Sequence, residues 1–261
     1  MNNNIKQKIV LAKKRLLKMH YASKVGHIGG NLSSLDCLMV LHHDLMVKED
    51  LFILSKGHAA GALYITLWSI GRLTDDDLKT FHADNTNLPG HPTSGFLPEI
   101  PVSTGSLGHG LSVALGVALG RRLSNTPGHV YCLTSDGEWQ EGSTWEALIF
   151  FAHRKLPNLT VLIDVNGLQG FGTTKNVASM ENLYAKITQF GLNVIEIDGH
   201  DPDIIKITIE NNPGSIILLN TIKGHGISFM ENKMEWHYLP LNQKLYEQAL
   251  QEIATQEMKI L

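Results

Sequence analysis

Hydrophobic positions along this chain change their period repeatedly, and the changes mark out its elements. Ile5, Ile9, Ala12, Leu16 and Met19 recur at three- and four-residue intervals, with lysines and Arg15 opposite. That spacing predicts an amphipathic helix ending near Lys24, its basic face solvated. Gly26-His27-Ile28-Gly29-Gly30 reads as a loop, after which Ser33 is placed to cap a helix running through Leu41. Shorter, continuous apolar runs obey another rule. Phe52 to Ser55, Val130 to Thr134, Leu159 to Val165, 193–197 and 215–222 read as strands buried on both faces. Helical stretches lie between them, at Ala59 to Ile70, Leu111 to Gly120 and Trp145 to His153, and a last one runs from about Leu241 to Leu261. Residues 75–101, rich in Asp, Asn, Pro and Gly, read as a long irregular segment, a class of loop that is often functional in a compact domain. Alternating helices and branched apolar strands predict an α/β fold in three layers, a mainly parallel sheet between helices, with residues 1–261 as one domain.

Composition narrows the function more than the fold. With 261 residues and 43% hydrophobic content the chain has ample core. A net charge of −3 gives no reason to expect nucleic acid or a membrane surface as partner. No apolar stretch reaches the length of a membrane span, and the basic N-terminal helix lacks the apolar core of a targeting peptide. Two cysteines, Cys37 and Cys132, are too few for a disulfide framework, so both are expected to be reduced and buried in a cytoplasmic protein.

The candidate chemistry sits where strands end. Ser135-Asp136-Gly137-Glu138 follows one apolar run, and Asn166-Gly167-Leu168 follows the next, with one helix between them. That spacing is a βαβ unit, which brings both loops to the carboxyl edge of a parallel sheet, where open α/β sheets bind ligands. The Asp136 carboxylate, the Asn166 amide oxygen and one loop carbonyl would offer a hard cation three oxygen ligands and leave room for phosphate and water. Alone, Asp136-Gly137 reads as an ordinary turn with a helix cap. Four histidines also follow glycine or stand in loops: His27, His58, His91 and His237. A loop histidine is most often merely solvated, so these gain meaning only from their order along the chain.

Taken in that order, the motifs resemble those of the transketolase family. Ser135-Asp136-Gly137-Glu138, Glu141-Gly142, Trp145-Glu146-Ala147 and Asn166-Gly167-Leu168-Gln169 are similar to its thiamine diphosphate motif. Gly26-His27, Lys56-Gly57-His58, Gly90-His91-Pro92 and Trp236-His237 resemble four further ones. The resemblance implies a three-layer thiamine-diphosphate-binding fold in which Asp136, Asn166 and the Leu168 carbonyl hold Mg²⁺, or Ca²⁺ or Mn²⁺ in its place. Gly137 and Glu138 fall within the same motif, and the Gly137 N–H would approach a phosphate. It implies that His58 and His237 contact the cofactor and that His27 and His91 face sugar hydroxyls, with all four near the reaction. Histidine suits that place, since it moves protons near neutral pH and donates to a developing oxyanion. Gly105-Ser106-Leu107 resembles the loop that holds the aminopyrimidine ring, and Glu141 and Glu146 match acidic interface positions.

Departures are Ser135 for glycine, Ser106 for proline, His109 for glutamine, and Tyr238, where a small residue is usual after the histidine. His225 is the runner-up for the role of His237. The resemblance covers the family's first half. It implies the N-terminal, diphosphate-binding subunit of a split transketolase, moving a two-carbon ketol unit from a ketose (phosphate) to an aldose (phosphate). The partner would be a C-terminal subunit carrying the pyrimidine-binding domain, in a heterotetramer. A 1-deoxyxylulose-phosphate synthase-like or other thiamine-dependent subunit, and a non-catalytic scaffold subunit, remain open on sequence alone.

Overall fold

All five of the apolar runs pair side by side in one parallel sheet. The computed structural model describes residues 3–260; residues 1, 2 and 261, the ends of the expected domain and of its last helix, lie outside them. In chain order come helices α1 (Asn3–Ser23) and α2 (Ile28–Val40), strand β1 (Leu51–Leu54), and helices α3 (Ala60–Ser69), α4 (Asp75–Lys79) and α5 (Gly110–Leu123). Then follow β2 (Val130–Ser135), α6 (Gly142–Arg154), β3 (Leu159–Val165) and the small antiparallel pair β4 (Leu168–Gln169) and β5 (Gly172–Thr173). The chain continues through α7 (Thr174–Ala178), α8 (Leu183–Thr188), β6 (Val194–Asp198), α9 (Pro202–Asn211), β7 (Ile216–Asn220) and α10 (Gln243–Ile260).

The sheet runs β1-β2-β3-β7-β6, every neighbouring pair parallel. Alternation along each strand sorts the core into two halves. Phe52, Leu54, Tyr131, Leu133, Leu162, Ile217 and Leu219 face a core completed by α1, α2, α3, α9 and α10. Ile53, Val130, Cys132, Val161, Ile163, Ile216 and Leu218 face a second core, closed by α5, α6 and α8. The strands therefore read as unbroken apolar runs because both faces are covered. Cys37 and Cys132 are free and buried. No helix among the described residues is long and apolar enough to cross a membrane.

One expected boundary is wrong. Gly29 and Gly30 are not loop residues; α2 begins at Ile28, and His27 rather than Ser33 stands at its N-cap. Ser33 is inside the helix, with its hydroxyl on the Gly30 carbonyl and on Asp164. Gly29 serves packing: a Cβ there would lie 3.0 Å from Lys223 Cγ and 3.2 Å from the Trp236 carbonyl oxygen. The irregular segment 75–101 is also less irregular than expected, since it opens with α4, capped by Thr74.

Candidate functional site

Asp136 begins a 3₁₀ turn directly after β2, and Asn166 follows β3. Because β2 and β3 are paired neighbours with Ser135 opposite Asp164, the two loops open side by side. Both face a cavity of about 210 Å³ that Leu168, Gly137, His27, His58, His91 and His237 also line. The main chain orients the acid: the Gly137 N–H donates to Asp136 Oδ1 at 2.8 Å and the Gly167 N–H to Oδ2 at 2.7 Å. The N–H of Gly137 is thus turned onto the carboxylate. Asn166 turns its amide oxygen toward the Leu168 N–H (3.1 Å) and its NH₂ toward Asp164 (3.3 Å). Burial and the nearby charge of Asp164 push the Asp136 carboxyl up to about 7.

The four histidines come from four separate segments and meet. His27 lies with its ring centroid 5.9 Å from His58, 5.8 Å from His91 and 5.0 Å from His237. His27 is held in the left-handed region (φ 64°), uncommon for a non-glycine residue. Its own N–H donates to the His237 carbonyl (2.9 Å), and its carbonyl accepts from Asn31 (2.8 Å), so two fixed partners hold the conformation. Burial first, then the charge of neighbouring lysines and histidines, lowers these imidazoles, His27 to about 4, His237 to about 3, and His58 and His91 also below the usual value. At neutral pH the cluster is uncharged.

A cation completes the cavity that the sequence reading passed over. Lys223, from the segment after β7, is buried and lines it, and burial with nearby Lys56 brings its ammonium down to about 8. Its Nζ donates to His237 Nδ1 at 3.0 Å. An ammonium offers only donors, so Nδ1 must accept and His237 carries its proton on Nε2.

Behind this surface is a buried network. Lys56, fully buried, pairs with Asp164, and donates to the Gly30 carbonyl at 3.2 Å. Asp164 also accepts from Ser33 (2.6 Å), Ser34 (3.2 Å) and Thr221. Lys56 first among these partners holds the Asp164 carboxyl below its ordinary value despite burial. Glu138 belongs to a second network. Ser55 (2.6 Å) and the Gly108 N–H (3.0 Å) donate to one of its oxygens and the Ser135 N–H (3.0 Å) to the other, so it ties three loops together without lining the cavity.

Gly105 and Leu107 line the cavity, whereas Ser106 and His109 line an adjoining open cleft of about 590 Å³, joined to it through His91 and Gly105. Glu141 and Glu146 are exposed. His225, the runner-up, lies elsewhere, stacked on His200 at 3.5 Å. With Asp36 those two histidines place potential metal-ligand atoms within 4.8 Å of one another. Hydrogen bonding argues against a metal there. The Ile222 N–H donates to His200 Nε2 (2.8 Å), which leaves the His200 proton on Nδ1, where it faces Asp36 (2.6 Å). Lys13, 3.7 Å from Asp36, already supplies the positive charge.

Comparison with known proteins bears on this geometry. The family described as "Transketolase, thiamine diphosphate binding domain" matches residues 6–257. An apulose-4-phosphate transketolase subunit of Phocaeicola vulgatus is 38% identical, over 95% of this chain and 93% of its own length. A 6-deoxy-6-sulfo-D-fructose transketolase subunit of a Clostridium species is 37% identical over 88% of each. Among solved structures, transketolase from Campylobacter jejuni superposes with a TM-score of 0.84 at 26% identity, covering 100% of this chain and 48% of that one. The chain thus spans about half the length of that solved protein, and nearly all of the two shorter relatives.

Proposed function

This chain belongs to the transketolase family, and we propose that it is the diphosphate-binding subunit of a split enzyme that transfers a two-carbon ketol unit from a ketose or ketose phosphate to an aldose or aldose phosphate. One observation carries this reading: the Asp136, Asn166 and Leu168 oxygens, four neutral histidines and one buried lysine line a single cavity at the carboxyl edge of the sheet.

The residues fit the cofactor that the family name prints. A carboxylate, an amide oxygen and a carbonyl are the ligand types that Mg²⁺ prefers, and Ca²⁺ or Mn²⁺ accept them too. A carboxyl as buried as Asp136 gains most from a cation of its own. The protein's packing does not require glycine at 137, where a Cβ would meet Gln169 at an ordinary 3.5 Å. The missing side chain keeps the cavity open. Lys223 supplies positive charge for a diphosphate. Bound thiamine diphosphate provides the electron sink for making and breaking a carbon–carbon bond beside a carbonyl. The chain's own residues do the rest. His58 and His237 hold the cofactor side, and His27 and His91 accept and donate to sugar hydroxyls as neutral imidazoles. The 3₁₀ turn after β2 and the loop after β3 present the metal ligands, and the Asn166 NH₂ ties them to the Lys56–Asp164 pair behind.

The cavity is small beside the roughly 300–1,000 Å³ of typical ligand pockets. Its opening into the cleft at His91 and Gly105 supports a site completed by a second chain, which we take to be the C-terminal subunit with a pyrimidine-binding domain, in a cytoplasmic heterotetramer. Two similar proteins of this length are named as transketolase subunits, which favours this over the 1-deoxyxylulose-phosphate synthase-like or other thiamine-dependent subunit and over the scaffold. Purification of the chain from its source, with mass spectrometry of what accompanies it, tests the reading. A stoichiometric second chain and magnesium-dependent ketol transfer are expected; a chain recovered alone, or a pair that binds thiamine diphosphate and transfers nothing, would overturn it.

A further inference from the structure

The β4–β5 turn and the segment after β7 approach each other at the cavity, and one side chain spans the gap. Tyr238 lines the cavity, and its phenol donates to the Gly170 carbonyl at 3.1 Å. Its ring lies 4.7 Å from His237 and 6.5 Å from His27. Both ends of the residue are fixed. At its backbone, a Cβ on Gly26 would collide with the Tyr238 carbonyl, so only glycine lets the chain pass there. At its tip, a Cβ on Gly170 would collide with the phenol oxygen. Gly170 does not have a positive φ, so its backbone would accept alanine, and the atom its Cβ would meet is the phenol tip, which would have to move aside. The phenol proton is already committed to Gly170, which makes the ring a wall first and a hydrogen-bond donor to ligands last.

We propose that Tyr238, pinned to Gly170, is a specificity-determining residue that walls the cavity beside His27, where the proposed reading places the sugar, and favours two- and three-carbon aldehyde acceptors over longer aldoses. The proposal rests on the ketol-transfer reading. It is tested with the complex of this chain and its co-purifying partner, using hydroxypyruvate as the common donor and D-glyceraldehyde or D-ribose as acceptor. Both acceptors lack phosphate, so only chain length is compared. The ratio of kcat/KM for ribose to that for glyceraldehyde should rise about tenfold in Tyr238→Gly, the size of effect that pocket shape commonly confers. Gly170→Ala, which displaces the phenol from the opposite side, should raise the ratio as well, and should add nothing in the Tyr238→Gly background. Calorimetric affinity for thiamine diphosphate should stay unchanged throughout. An unaltered ratio in both active single variants overturns this inference alone. So does a loss of cofactor affinity in Tyr238→Gly, which would make the residue a clamp on the β4–β5 turn. A wild-type complex inert toward both acceptors overturns the functional reading, and this inference with it.

Discussion

Among the described residues, the hydrogen-bond partners of Asp136 are main-chain N–H groups, Gly137 on one oxygen and Gly167 on the other, and none is a cation. Replacing it by alanine should abolish magnesium-dependent binding of thiamine diphosphate, as read by calorimetry, and an unchanged affinity would refute the metal assignment. Lys56 behaves differently, because its role is to neutralise Asp164. Lys56→Met leaves that carboxylate buried without its cation, at an expected cost of about 3–5 kcal/mol in urea unfolding. A change below about 1 kcal/mol would show that the serines and Thr221 suffice. Single residues were legible in the sequence where a motif carried them. Asp136, Asn166, Leu168 and the four histidines all reach one cavity. Lys223 and the Lys56–Asp164 pair were not legible, because a lysine's burial depends on partners far along the chain. The one local signal was Asp164 itself, a charge inside the apolar run Leu159–Val165.

At the scale of elements, the site depends on how closely its loops pack. A Cβ on Gly57 would come within 2.8 Å of the Gly105 nitrogen and the Thr104 carbonyl carbon. Gly57→Ala should therefore push the 104–107 loop away from the turn after β1, costing about 1–3 kcal/mol in thermal or denaturant unfolding. It should also weaken cofactor binding, and full retention of both would mean that the loop yields freely. The strands were the most legible elements, since a sheet covered on both faces leaves continuous apolar runs; β3 spans Leu159–Val165 as read. The start of α2 was misread because Gly29 and Gly30 look like loop residues. Close packing against Lys223 and Trp236, invisible in the local pattern, is what calls for glycine at 29.

Across the whole molecule, burial has made histidine an acid-sensitive component. His20 and His42 are lowered to about 4, mainly by burial, as are His27 to about 4 and His225 and His237 to about 3. Between about pH 6.5 and 4 the unfolded chain binds protons at these rings that the folded chain does not, so stability falls as pH falls through that window. His20 and His42 each contribute at most about 1.4 kcal/mol per pH unit. Calorimetry should show Tm dropping between pH 7 and 5, with a shallower slope in His42→Leu; an identical slope would remove His42 from the account.

The strand order has a consequence for how the chain is made. β3 lies between β2 and β7, and among the described residues β6 pairs with β7 alone, so the strand that joins them is the last of the sheet to leave the ribosome. Until residues 216–220 emerge, the nascent chain carries an apolar β3 edge with no neighbour and a β6 with nowhere to dock, a state prone to edge-to-edge association. Translation that stalls or terminates before β7 should accordingly yield aggregates rather than a shortened soluble domain. The emergence of β7 is then the step at which chaperones have most to protect.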